Sequence, residues 1–128
     1  MPVFSDFLRR DPSPAAHGES TADFLDRAAG PYWEQVRQLI EGWFLRLCVD
    51  AQADVRGRLR SPIDSQFHGA FLELYLHECL KRAGYQVTCH PDMPGTSRHP
   101  DFLAEREDDA FYLEARAPGV SPRSASST

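Results

Sequence analysis

HPDFLAEREDDAFYLEAR, residues 99–116, is the stretch whose reading decides the fold. Two short apolar runs flank an acidic turn, a pattern that predicts a β-hairpin with strands over residues 101–106 and 110–116. Side chains alternate between the faces of a strand, so Asp101, Leu103 and Glu105 share one face, as do Ala110, Tyr112, Glu114 and Arg116. If Glu107 and Asp108 form the two-residue turn, Phe102 meets Leu113 and Ala104 meets Phe111. That register lines one face with apolar side chains, and slipping a strand by one residue would turn its apolar set outward. It also sets Asp101 directly opposite Glu114.

Like charges paired across strands destabilise a hairpin, so the two carboxylates need compensation. A divalent cation can supply it, because Mg²⁺ is held by one or two carboxylates together with waters and phosphate oxygens. The other reading leaves both acids at the surface, neutralised by Arg98 or Arg116.

Upstream, QFHGAFLELYLHECLKRAG predicts a helix with Ser65 as its cap and Gly84 as its stop. On it Glu73 shares a face with Gly69, Leu76 and Leu80, with Gln66 and His77 nearby, so its carboxylate is expected to point inward and converge on the hairpin acids. Glu78 lies about 140° away by helical geometry and reads as a surface partner of Arg82. Tyr85 to His90 predicts a strand, and the loop PDMPGTSRHP leads into the hairpin.

Helix, strand, strand, strand, with Glu73, Gly84-Tyr85, Pro100-Asp101 and Glu114-Ala115-Arg116 in that order, resembles the PD-(D/E)XK nuclease superfamily, the restriction-endonuclease-like fold. The resemblance spans about residues 65–116. It implies a divalent-metal-dependent nuclease core in which Asp101 and Glu114 hold Mg²⁺ or Mn²⁺, Glu73 supports the site, and the metal activates water and stabilises charge on a scissile phosphate. Arg116 stands where the family has lysine. A guanidinium stays protonated and clamps phosphate without deprotonating water, so weak or absent hydrolysis is expected. Lys81, eight residues beyond Glu73, is poorly placed as a substitute.

Gly95-Thr96-Ser97-Arg98 is suited to contacting a phosphate through backbone N–H groups and the Arg98 side chain. The implied partner is nucleic acid, DNA in preference to RNA; the alternatives are a non-catalytic binding module and a remnant of a longer protein. The family core continues with a further helix and strand, so an open sheet completed by a missing C-terminal segment or by a homodimer is also expected.

Outside this core, residues 1–19 combine Pro12, Pro14 and Gly18 and read as a flexible lead-in, with VFSDFLRR as a short docking turn. Residues 20–60 read as a helical region: a helix from Ser20 to Gly30, then one begun by Pro31 and bent near Asp50 to Asp54 or at Gly57. Trp33, Val36, Leu39, Ile40, Trp43, Phe44 and Leu47 form its apolar stripe. Residues 61–116 complete the nuclease-like core, and 117–128 read as a disordered tail. The fold class expected is therefore α+β, with helices packed on a small mixed or antiparallel sheet.

Composition narrows the function classes. The chain has 128 residues and a net charge of −5, with nine acids and eight bases in residues 1–60 and ten and six in residues 61–128. It has no basic stripe of the kind that dominates strong nucleic-acid binders, so any such contact is local or bridged by metal. Neither a membrane span nor a signal-peptide pattern is present, and a soluble cytoplasmic protein is the expectation. Three cysteines without C-x-x-C spacing read as thiols, in neither a disulfide framework nor a zinc ribbon. A zinc site drawn from Cys89, His90, His99 and Asp101 matches no known module, and Cys79 with His77 or His68 makes a poor nucleophile and base because it sits mid-helix.

Overall fold

The computed structural model describes residues 1–95 and 99–115. Four helices, α1 (Thr21–Arg27), α2 (Pro31–Arg46), α3 (Val49–Leu59) and α4 (Asp64–Arg82), precede three strands, β1 (Gln86–Cys89), β2 (Phe102–Arg106) and β3 (Asp109–Leu113). The class is α+β. The strands form one sheet in the order β1-β2-β3 with both pairings antiparallel.

The hairpin has the register read from its alternation: Phe102 pairs with Leu113, Ala104 with Phe111, and Arg106 with Asp109 around the Glu107-Asp108 turn. Glu107 takes a φ of 50°, the left-handed conformation that tight hairpin turns require. Phe102 and Ala104 are buried and look toward α4, where the Phe102 ring meets His77 with centroids 5.7 Å apart. On the opposite face Gln86, Thr88, Glu105, Ala110 and Tyr112 are exposed, so helices cover one side of the sheet.

Local residues explain three of the helix ends. Ser20 accepts from the Asp23 N–H to start α1, and Pro31 opens α2 where its missing N–H costs nothing. After α4, Gly84 turns back at φ 92°, so its N–H reaches the Lys81 carbonyl and that of Tyr85 reaches Leu80. This double bond pattern satisfies the last carbonyls of the helix and aims the chain into β1.

Three helix details differ from the sequence reading. The break between α2 and α3 falls at Leu47-Cys48, ahead of the positions expected. Leu47 is buried in the core, its N–H donates to the Phe44 carbonyl at 3.1 Å, and the Gln52 amide donates to the Phe44 and Leu47 carbonyls at the end of α2. Helix α4 begins at Asp64 instead of after Ser65: Ser61 accepts from the Ile63 N–H, and the Asp64 carboxylate accepts from Thr21 N–H at 2.9 Å, tying α4 to α1. Finally, Leu39 of the expected α2 stripe is half exposed, while Arg37 is buried. Its guanidinium donates to the Leu25 and Ala28 carbonyls at 2.8 and 2.7 Å, capping the end of α1.

The lead-in of residues 1–19 contains no helix or longer strand, yet its first residues belong to the core. Val3 and Phe4 are buried among Leu25, Ile40, Phe44 and Leu59. Their N–H groups donate to the Glu41 carboxylate at 2.8 and 3.1 Å, and Ser5 and Arg9 bond to Asp26. A bridge between Asp11 and Ala28 fixes the segment's far end. The expected tail, residues 117–128, lies outside the described residues.

Candidate functional site

Asp101 and Glu114 stand at the open end of the hairpin, one residue beyond the last β2–β3 pair. The ladder continues through Asp101, whose carbonyl accepts from His90 N–H at 2.8 Å, so strand alternation carries both residues onto the face away from α4. Asp101 is half-buried and its Oδ2 accepts from the Ala115 N–H at 2.7 Å, whereas Glu114 is exposed. The side chain of Asp101 thus closes the end of β3. Arg98 and Arg116, the expected phosphate contacts, lie outside the described residues.

Glu73 does not join this pair. It is buried on the flank of α4 facing α3, where it is ion-paired with Arg58. Arg58 also pairs with Asp54 at 2.8 Å. Burial pulls the guanidinium pKa down, and the bonds to Glu73 and Asp54 outweigh it and hold it above its ordinary value. Converging acids were expected because helical spacing placed Glu73 on the inward side; spacing could not say which neighbour that side would meet.

Glu78, expected at the surface, is buried with 4% of its area exposed. The Arg82 pairing is present, with Nε donating at 2.7 Å, but Arg46 of α2 adds three further contacts at 2.9 to 3.2 Å. The Arg46 hydrogen bonds are the main reason its carboxyl is held below its ordinary 4.5, and Arg82 contributes to the same shift. This carboxylate is structural: it locks α2 to α4.

The cysteines depart furthest from the sequence reading. Cys48, at the N-terminus of α3, and Cys89, at the end of β1, form a disulfide across 41 residues with Cα atoms 6.2 Å apart. Cys79 is a free, exposed thiol. His77 of α4 lies against the pair, 1% exposed, with Nε2 3.7 Å from the Cys48 sulfur. Burial pushes its pKa down, Lys81 lowers it further, and Glu78 partly opposes them. Its Nδ1 is buried without a hydrogen-bond partner among the described residues. The ligand atoms of Cys48, His77 and Cys89 lie within 4.8 Å of one another and could hold a metal ion. Of the zinc ligands considered from sequence only Cys89 is in this group; His99 instead lies beside Asp92, 3.5 Å away.

The trio escaped sequence reading because Cys48 and Cys89 sit on separate elements with no local spacing to link them. One signal was present: Phe67, Ala70, Leu74 and His77 repeat at intervals of three and four, marking His77 as an interior residue. The other structural link to the hairpin was also visible in part. Tyr85, of the Gly84-Tyr85 pair, stacks edge-on against Phe111 and donates its hydroxyl to Asp109 at 2.9 Å.

No helix is long and apolar enough to cross a membrane. Comparison with protein-family models, curated proteins and solved structures finds no match for the chain.

Proposed function

We propose that α4 and the three strands form a nuclease-like core of the PD-(D/E)XK kind, in which Asp101 and Glu114 bind Mg²⁺ or Mn²⁺ against a nucleic-acid phosphate with little or no hydrolytic turnover. The observation that supports this reading is the hairpin register, whose extension by one residue past the Phe102–Leu113 pair would set Asp101 opposite Glu114. Cations of this kind take oxygen ligands and complete their shells with water and phosphate. Asp101 is anchored through the Ala115 N–H, which leaves its other oxygen for a cation.

A second reading, a binding module without catalysis, is favoured by one contact. Glu73 is neutralised by Arg58, so the third acid that would support a metal-activated water is engaged with α3. Together with Arg116 in the lysine position, this removes two contributions to hydrolysis while leaving cation and phosphate binding in place.

Calorimetric titration of the oxidised chain with Mn²⁺ and with Mg²⁺ tests the site, because Cys48 and Cys89, bonded to each other, then offer the ion no competing thiolate. Binding is expected in the parent and lost in Asp101→Asn, a change that keeps an acceptor for Ala115 N–H while removing the charge. Plasmid nicking restored by Arg116→Lys separates the first reading from the second. A parent that binds neither ion, or an Asp101→Asn variant that binds as the parent does, removes the nuclease reading.

A further inference from the structure

We propose that Cys48, His77 and Cys89 form a redox-exclusive site for zinc: the reduced chain holds the ion, and oxidation to the disulfide expels it. This site is distinct from the hairpin carboxylates and does not depend on their role.

Three observations converge on it. The ligand atoms are already gathered at one place: tetrahedral Zn²⁺ with bonds of about 2.3 Å to sulfur and 2.0 to 2.1 Å to nitrogen sets its ligand atoms roughly 3.5 to 3.8 Å apart, so the two sulfurs, bonded to each other in the oxidised chain, must part to seat the ion. His77 Nε2 is 3.7 Å from the Cys48 sulfur, and all three ligand atoms fall within 4.8 Å. The second observation is the imidazole itself. His77 is 1% exposed, with Nδ1 unpartnered among the described residues and Nε2 aimed at sulfur, an arrangement that leaves a buried polar group poorly compensated. A metal bond to Nε2 would replace its weak sulfur contact with a strong partner, while Nδ1 keeps none among the described residues.

The third is that Cys48 is the N-cap residue of the 11-residue helix α3, next to the helix end that favours thiolate, with its side chain turned to His77 and β1 and making no capping bond. The chemistry of the set is soft: two sulfurs and one imidazole match zinc and exclude Mg²⁺, which takes oxygen. With three protein ligands, the fourth position is open to water, and Cys48 and Cys89 are each part-exposed.

The exchange balances as follows. A dithiol reductant transfers two electrons to the Cys48–Cys89 bond; the S–S bond breaks, each sulfur takes a proton, and the reductant closes to its own disulfide. Zn²⁺ then displaces the two thiol protons and accepts the Nε2 lone pair. A two-electron oxidant such as a low-molecular-weight disulfide reverses the sequence, and the sulfurs form their mutual bond as the ion leaves.

Cobalt reports on the site directly, because Co²⁺ bound by thiolate gives a sulfur-to-metal charge-transfer band that an oxygen site lacks. The full chain in a Cys79→Ser background, reduced with a dithiol, the dithiol then removed under anaerobic conditions, is expected to bind one Co²⁺ with that band and to release it to Zn²⁺. The oxidised chain is expected to show no band. Cys89→Ser and Cys48→Ser should each bind at least tenfold more weakly, as should His77→Gln. Since His77→Gln alters a buried position, X-ray absorption of the zinc-loaded parent gives the same answer without substitution: two sulfur and two nitrogen or oxygen scatterers are expected. A reduced chain without the charge-transfer band, a band that persists in both cysteine variants, or a zinc shell without two sulfurs overturns the proposal. Mn²⁺ binding lost in Asp101→Asn is a separate result, so failure at either site leaves the other standing.

Discussion

Replacing Glu78 by glutamine tests whether a single buried carboxylate locks α2 to α4. Its oxygens receive three contacts from Arg46 and one from Arg82, at 2.7 to 3.2 Å, while the carboxylate itself is 4% exposed. Hydrogen bonds to a buried charged group contribute about 1.5–3 kcal/mol each when both partners are dry. Here the arginine side chains are 48% and 67% exposed, so solvent screens the set strongly. The neutral amide also keeps an acceptor for one of them. The expected net loss is about 2 kcal/mol near pH 7, which corresponds to a fall in Tm of about 8 °C for a domain of this size.

The pH dependence fixes the cause. The folded-state pKa of Glu78 is held below 4.5, chiefly by Arg46, so its contribution is present in full above the unfolded-state value. It is lost as pH falls through the lowered one. Thermal melts of parent and variant followed by circular dichroism should therefore differ most at neutral pH and draw together as the solution is acidified below 4.5. A variant that melts with the parent at neutral pH, or a gap that stays constant from neutral pH through the acid limb of the titration, would refute the charge-clamp explanation. Arg82→Ala should lower Tm far less than Glu78→Gln, because Arg82 is the more exposed partner.

Leu74→Ala should lose about 3–4 kcal/mol in urea unfolding, since Leu74 is fully buried and its removal leaves a cavity between α4 and its neighbours. Glu41→Ala should release the first residues of the chain, because Glu41 accepts from both Val3 and Phe4 N–H; a loss of about 1–2 kcal/mol and faster hydrogen exchange at those two amides are expected. Reduction of the Cys48–Cys89 bond in metal-free buffer should lower stability by about 4 kcal/mol in the chain-entropy account of a link spanning 41 residues, measured as a drop in the urea midpoint.

The hairpin was legible because its signals are local. Alternation over five residues, an acidic two-residue turn and a matching apolar set leave one register that buries Phe102 and Ala104 together. Gly84 and Pro31 marked helix ends for equally local reasons of backbone geometry. The same reading placed Glu73 inward but could not name its neighbour, since Arg58 approaches from α3 only once the helices pack. Glu78 was taken for a surface residue because Arg82 lies one turn away on the same helix, while the Arg46 partner is 32 positions distant.

What the sequence by itself determined, then, is the order of elements, the hairpin register and the α+β class, each set by periodicities and turn chemistry acting over a few residues. Tertiary structure decided the break at Leu47-Cys48, the burial of Val3 and Phe4, the pairing of Glu73 and Glu78 with arginines, and the meeting of Cys48, His77 and Cys89. Each of these joins residues on elements far apart in the chain. Such partners are chosen by which packing buries the apolar faces together, and no local spacing encodes that choice.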